Sequence, residues 1–179
     1  MATPATTMAS PSHPRDPRWA RWLALSLAII VLDFATKLWI QHVLRPGDEI
    51  VLTGFASLVL TFNAGAAFSF LAGASGWQRW FFAGIAVAAT VVIIALLRRG
   101  GSRWHRVGLA LILGGALGNL WDRLTLGAVV DFLLLHHGEW FFPAFNVADS
   151  AITVGAGLLI LDSFLLRRPA PMHDPVESR

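Results

Sequence analysis

The sequence predicts an all-α membrane fold of four transmembrane helices, and three observations carry that reading. First, 55% of the 179 residues are apolar and only 14% are charged, against about 25% in an ordinary soluble domain. A mean hydropathy of +0.61 leaves too little polar surface to cover a soluble core of this length. Second, the apolar residues gather into four long runs. Third, ten of the 14 Lys and Arg flank those runs at alternate ends. The net charge is only +3, so the pI near 11.0 is no sign of a nucleic-acid partner. Cysteine is absent, which removes disulfides, thiolate metal sites, iron–sulfur clusters and a Cys nucleophile.

Residues 1–18 are small, polar and Pro-rich, and read as a disordered cytoplasmic lead. The first run, Trp22 to about Val43, is long enough to cross about 30 Å of hydrocarbon at about 1.5 Å per residue. It exceeds the apolar core of a cleaved signal peptide, and Gln41-His42-Val43-Leu44-Arg45-Pro46 offers no small-residue cleavage site. An outer segment, 44–79, follows. The second run covers about Trp80 to Leu97. The third covers about Val107 to Leu120 and extends toward Leu124. A second outer segment, 124–148, leads to the fourth run, about Ala151 to Leu166. The membrane domain is therefore 19–168, followed by a cytoplasmic tail, 169–179.

Orientation follows from the cations. Arg15, Arg18 and Arg21 precede the first span. Arg98, Arg99, Arg103 and Arg106 join the second and third. Arg167, Arg168 and Arg179 follow the fourth. The positive-inside rule places both termini in the cytoplasm and both outer segments on the far face. Trp19, Trp22, Trp39, Trp80 and Trp140 fall near the expected membrane edges, as aromatic belts do. Within the outer segments, Leu58, Leu60 and Phe62 alternate with Ser57, Val59 and Thr61, the pattern of a half-buried strand. Ala128-Val129-Val130-Asp131-Phe132-Leu133 is β-rich with an acid at its centre.

Ionisable groups inside a membrane cost roughly 2.5–3.5 kcal/mol each on insertion scales. This chain keeps several, and the orientation brings them to one depth. Asp33 and Lys37 lie past the midpoint of the outward-running first span. Asn119, Asp122 and Arg123 close the third span at its outer end, Asp149 opens the fourth, and Asp131 lies in the loop between. Asp33 and Lys37 are spaced i,i+4 with the acid first, as a structural ion pair would be. Gly114 and Gly118, with Gly115 beside them, form a small-residue ridge suited to close helix packing. Asp149 reads either as a first-turn acid favoured by the helix dipole or as a catalytic group. Asp131 reads either as a strand-edge charge or as the second carboxylate of a pair. Two carboxylates in a dry site cannot both ionise easily, so one keeps a proton while the other can activate water. Asp162 lies about 20 Å further along the fourth span, near Arg167, and reads as structural.

Other chemistries lack support. No His-Glu-x-x-His or Walker pattern occurs. His136 and His137 with Glu139 could touch a metal, but adjacent His side chains diverge, so the three read as interfacial polar residues. A Ser–Lys pair of Lys37 with Ser69 or Ser150 has no motif. A proton or cation carrier would spread its polar groups along a path, and only Asp162 hints at one. A non-catalytic assembly protein would rely on the glycine ridge.

Five blocks in order carry a resemblance: Asp33-Phe34-Ala35-Thr36-Lys37, Asn63-Ala64-Gly65-Ala66-Ala67-Phe68, Gly114 through Leu124, Val129-Val130-Asp131-Phe132, and Phe145-Asn146-Val147-Ala148-Asp149-Ser150. Together they resemble lipoprotein signal peptidase, the signal peptidase II family of bacterial aspartic peptidases, over about Trp22 to Leu166. The resemblance implies a catalytic dyad of Asp131 and Asp149. It implies that Asn63, Asn119, Arg123 and Asn146 bind substrate or order the site, with Asp33, Lys37 and Asp122 supporting it. It implies a small extracytoplasmic β-cradle with a short surface helix in the first outer segment. The expected substrate is a diacylglyceryl-modified prolipoprotein cut just before its lipidated Cys, in the bacterial inner membrane near the periplasmic face. No cofactor is expected. Membrane lipid and globomycin-type inhibitors are expected partners, nucleic acid is not, and the expected state is a monomer.

Overall fold

A computed structural model describes residues 18–65 and 76–165. The lead before Arg18, the surface helix expected beyond Gly65, Arg167 and the tail lie outside the described residues. A 3-10 turn at Trp19–Trp22 enters α1 (Leu23–Val43). β1 (Glu49–Thr53) and β2 (Ala56–Asn63) follow, then α2 (Trp77–Arg99) and α3 (Arg103–Thr125). β3 (Val129–His137) and β4 (Trp140–Phe141) lead to α4 (Val147–Leu165).

Three of the helical stretches are long and apolar enough to cross a membrane: Trp19–Val43, Trp77–Arg99 and Val147–Phe164. Each shows lipid-type side chains outward, such as Leu27, Val91 and Ile160, all more than half exposed. α3 is as long as α2 but less apolar, and its position explains why. It packs against each of the other three helices and buries ten residues, among them four glycines, Asn119 and Asp122. A helix enclosed by helices needs small surfaces more than oily ones.

The glycines set the helix spacing. A Cβ on Gly108 would lie 2.8 Å from the Gly155 carbonyl oxygen, and one on Gly155 would lie 2.7 Å from that of Gly108. Gly114 meets α1 in the same way, 2.8 Å from the Ser26 carbonyl oxygen, and Gly115 meets the carbonyl of Ala148 on α4. Ser26 adds a polar tie, its Oγ donating to the Ala110 carbonyl at 2.8 Å. The ridge read from the sequence is thus a packing surface with α1 on one side and α4 on the other.

The outer segments fold together into one antiparallel sheet, ordered β1-β2-β3-β4. Ile40 and Leu44 from the end of α1 pack with Leu60, Val130 and Phe132 and seat the sheet on the helices. The ladder between β2 and β3 slips between Leu58, opposite Leu133, and Thr61, opposite Asp131. Three steps on β2 face two on β3, a bulge that breaks the expected alternation. Leu60 is buried on its predicted face, but Ser57 is fully buried and Phe62 is 48% exposed. The bulge lies one step from Asp131.

The helices run beyond the apolar runs. α3 begins at Arg103, where Ser102 caps it by accepting from the His105 amide at 3.0 Å. Asp162 is buried there as well. It accepts from the Ser102 hydroxyl and lies 3.8 Å from His105 Nδ1. Its partners on the described chain are therefore α3 groups.

Candidate active site

Five backbone elements, α1, β2, α3, β3 and α4, deliver the polar layer. Lys37 projects from α1 and is buried, with Nζ 2.7 Å from Asp33 Oδ2 and 2.9 Å from Asp122 Oδ2. The first contact is the i,i+4 pair expected of one helix face. The second joins α1 to α3 and needs the glycine ridge: a Cβ on Gly118 would lie 2.7 Å from Asp33 Oδ2. Lys37 also donates to Asn119 Oδ1 at 3.1 Å.

The two carboxylates of this triad also reach the other elements. Asp33 Oδ1 accepts from the Ala148 amide at 2.9 Å, which holds the first turn of α4. Asp122 Oδ2 accepts from the Val130 amide at 3.1 Å, which holds the start of β3. Two carboxylates around one ammonium thus fix α1, α3, α4 and β3 to one another. Every group is satisfied, as buried charge requires.

Asn146 caps α4. Its Oδ1 accepts from the Asp149 amide at 2.9 Å and its carbonyl from the Ser150 amide at 3.2 Å. This is the ordinary service of an Asn N-cap. The residue before it is clamped to β3 by an antiparallel bridge between Phe145 and Leu133. That bridge aims Asn146 at Asp131, and Nδ2 donates to Asp131 Oδ1 at 2.7 Å and to the Val130 carbonyl at 3.1 Å. Asn63, at the end of β2, donates to Asp131 Oδ2 at 3.1 Å. Asn119 donates to Asp149 Oδ1 at 2.7 Å.

Three asparagines therefore aim amide N–H groups at two carboxylates, and each amide is oriented by a partner that can only donate. Lys37 sets Asn119, the Asp149 amide sets Asn146, and the Gly65 amide at 2.9 Å sets Asn63. A donor on Oδ1 leaves Nδ2 pointing to the carboxylate. Among the described residues no Lys or Arg nitrogen forms a salt bridge with Asp131 or Asp149. Arg123 is held nearby, donating to the Asn119 carbonyl at 3.2 Å with its guanidinium 5.2 Å from the Phe82 ring.

Asp131 is 2% exposed. Burial first, and the like charge of Asp149 second, push its pKa up to about 7, against the opposing bonds from Asn63 and Asn146 and the charge of Lys37. Such a carboxyl keeps its proton near neutrality. Open space lies beside each of the two aspartates. A cavity of about 630 Å³ runs under the sheet past Thr61, Asn63, Asp131 and Phe141. A second of about 660 Å³ passes Asn63, Arg123 and Asp149 into an apolar wall of Phe82, Phe142 and Val154. The polar network thus lies between a strand-walled groove and an apolar cleft.

The structure brings together Asp33, Lys37, Asn63, Asn119, Asp122, Asp131, Asn146 and Asp149 in one bonded network, with Arg123 at its rim. It leaves Asp162 out. Reading the sequence did not single out Phe82, whose ring supports Arg123, or Thr61, whose hydroxyl donates to the Asp131 carbonyl at 3.3 Å. The alternating strand gave Thr61 a place, but nothing in it marks the bulge. Phe82 lies within an apolar run and carries no signal. His136 is taken up by Ser57, with Nε2 3.1 Å from its Oγ. Among the described residues no group of three or more His, Cys, Asp and Glu could hold a metal ion.

Comparison with known proteins identifies the family. The family described as Signal peptidase (SPase) II matches residues 25–165. The chain is 55% identical to the lipoprotein signal peptidase of Burkholderia cenocepacia over 158 residues, 88% of this chain and 94% of that one. It is 51% identical to the lipoprotein signal peptidase of Pseudomonas putida over 172 residues, 93% of this chain and all of that one. A bacterial membrane enzyme solved by the in meso method superposes with a TM-score of 0.76 at 26% identity, covering 92% of this chain and all of that one.

Proposed function

The chain belongs to the signal peptidase II family, and from that premise we propose that Asp131 and Asp149 form its catalytic dyad. It is a protease that removes signal peptides from prolipoproteins. The finer reading is that it cuts a diacylglyceryl-modified prolipoprotein just before the lipidated Cys. The observation that carries it is the pair of cavities, one lined by Asp131 and the other by Asp149, with Asn63 lining both. The strand-walled groove takes the peptide, and the apolar cleft takes the diacylglycerol.

In this reading Asp149, held by Asn119, accepts a proton from water as the oxygen attacks the scissile carbonyl. Asp131, protonated, donates a hydrogen bond to the carbonyl oxygen as negative charge develops there. The tetrahedral intermediate collapses when the C–N bond breaks, and the proton taken from water passes to the leaving amine of the Cys. The raised proton affinity of Asp131 supports giving it the electrophilic role. The pair still titrates as a unit.

All four helices span the membrane in this reading, α3 shielded by the rest. Both termini lie in the cytoplasm, and the site lies at the periplasmic face of the bacterial inner membrane. The arginine-rich ends of α2 and α3 support that orientation. The chain works as a monomer without a cofactor, among membrane lipids, and globomycin-type peptides would compete for the groove. Cleavage of a diacylated prolipoprotein by purified Asp131→Asn and Asp149→Asn variants tests the dyad. Both are expected to be inactive while folded, and near-normal turnover by either overturns it.

A further inference from the structure

At the end of the molecule opposite the aspartates lies a cavity of about 520 Å³ lined by Arg21, Trp22, Gly101, Arg103 and Arg106. Its three arginines come from two places in the chain, the start of α1 and the first turn of α3. No acidic residue lines it among the described residues. Asp162, which reaches the start of α3 from α4, is already bonded to Ser102 and faces His105. The indole Nε1–H of Trp22 is buried with no acceptor among the described residues, an uncommon state for a buried donor. The Arg21 guanidinium stacks 5.2 Å from the Trp22 ring, and Arg98 stacks 4.9 Å from the Trp19 ring at the same end. These stacks hold two cations at the level of the interfacial tryptophans.

We propose that this cavity binds the phosphate group of an anionic glycerophospholipid of the surrounding bilayer. Its size falls in the usual range for small-ligand sites. Three guanidiniums offer fork-shaped donors that match phosphate oxygens, and the orphaned indole N–H supplies one more. Basic pockets between membrane helices are the usual seats of such headgroups. A bound lipid would bridge the start of α1 to the start of α3. The site is remote from the dyad, and its fate leaves the peptidase reading untouched.

The experiment is titration of the purified full chain in detergent with phosphatidylglycerol, with phosphatidylcholine of the same acyl chains, and with inorganic phosphate, read by native mass spectrometry. Phosphatidylglycerol is expected to bind at least tenfold more tightly than phosphatidylcholine. Arg21→Gln, Arg103→Gln and Arg106→Gln should each weaken it about fivefold. Trp22→Phe, which keeps the ring and deletes the N–H, should weaken it about twofold to threefold. Arg99→Gln removes the same charge outside the cavity and should leave affinity unchanged. Equal binding of the two lipids, or an equal loss in Arg99→Gln, overturns the proposal. Inorganic phosphate that fills the site while phosphatidylglycerol fails to displace it also overturns it, assigning the site to a soluble anion.

Discussion

Two pairs of aspartates share one network and meet opposite electrical conditions. Asp33 and Asp122 face each other across the Lys37 ammonium, at 2.7 and 2.9 Å. Among the described residues, the side chains of Asp131 and Asp149 take their hydrogen bonds from amide N–H groups of Asn63, Asn119 and Asn146. The first pair has a full counter-charge in direct contact, and its bonds carry structural load. The second pair has no salt-bridged counter-charge among the described residues, so a proton remains the means of relieving its repulsion. Placing the single lysine on one side of Asn119 separates scaffold from chemistry, and Asn119 couples them, taking a bond from Lys37 and giving one to Asp149.

The largest effects should distinguish the pairs most sharply. Asp149→Asn is expected to lower the rate of prolipoprotein cleavage about a thousandfold or more, while thermal unfolding in detergent stays close to that of the parent chain. Lys37→Met should do the reverse in kind. It leaves two buried carboxylates without a counter-ion and should cost about 3–5 kcal/mol of stability, read as lost folded yield and an earlier unfolding transition. A Lys37→Met protein as stable as the parent would erase the distinction.

The titration of Asp131 sharpens it further. Its pKa rises from the ordinary 3.8 to about 7, so the folded chain binds this proton more tightly than the unfolded chain does. The resulting stabilisation is complete below about pH 4 and is lost as pH rises through about 7, a span worth on the order of 4 kcal/mol. Unfolding measured between pH 4 and 8 should show that decline, and Asp131→Asn should flatten it. Cleavage should fall with a single-proton slope above about pH 7. The smallest effect belongs to Asn63→Ala. Its amide stabilises the Asp131 anion, so its loss should move that alkaline limb to higher pH by a unit or less, and a shift to lower pH would contradict the assigned donor.

Much of this was legible in the sequence where chemistry is local. Asp33 and Lys37 announced their contact by spacing, and the glycines of α3 announced close packing. The four runs located the helices, although the apolar pattern began α4 at Ala151. The helix starts at Val147 because the Asn146 cap, not hydrophobicity, opens it. What needed a third dimension stayed hidden. Asp122 joins Lys37 only after α3 packs on α1. The β2 bulge exists only against β3, so alternation alone put Phe62 on the buried face. Asn63 and Asn146 entered through the family motifs, since a lone asparagine in a loop carries no chemical signal of its own.

The N-cap of α4 has a consequence for biogenesis. Asn146 opens the helix and grips Asp131 with the same side chain, and Asp33 on the first helix holds the amide beside it. The segment that completes this junction follows the other three helices in the chain. If Asp131 and Asp149 are the dyad proposed above, a chain that has not yet added this segment lacks one of its two carboxylates. Proteolytic competence would then arrive with the last helix, which would make correct assembly and activation a single event.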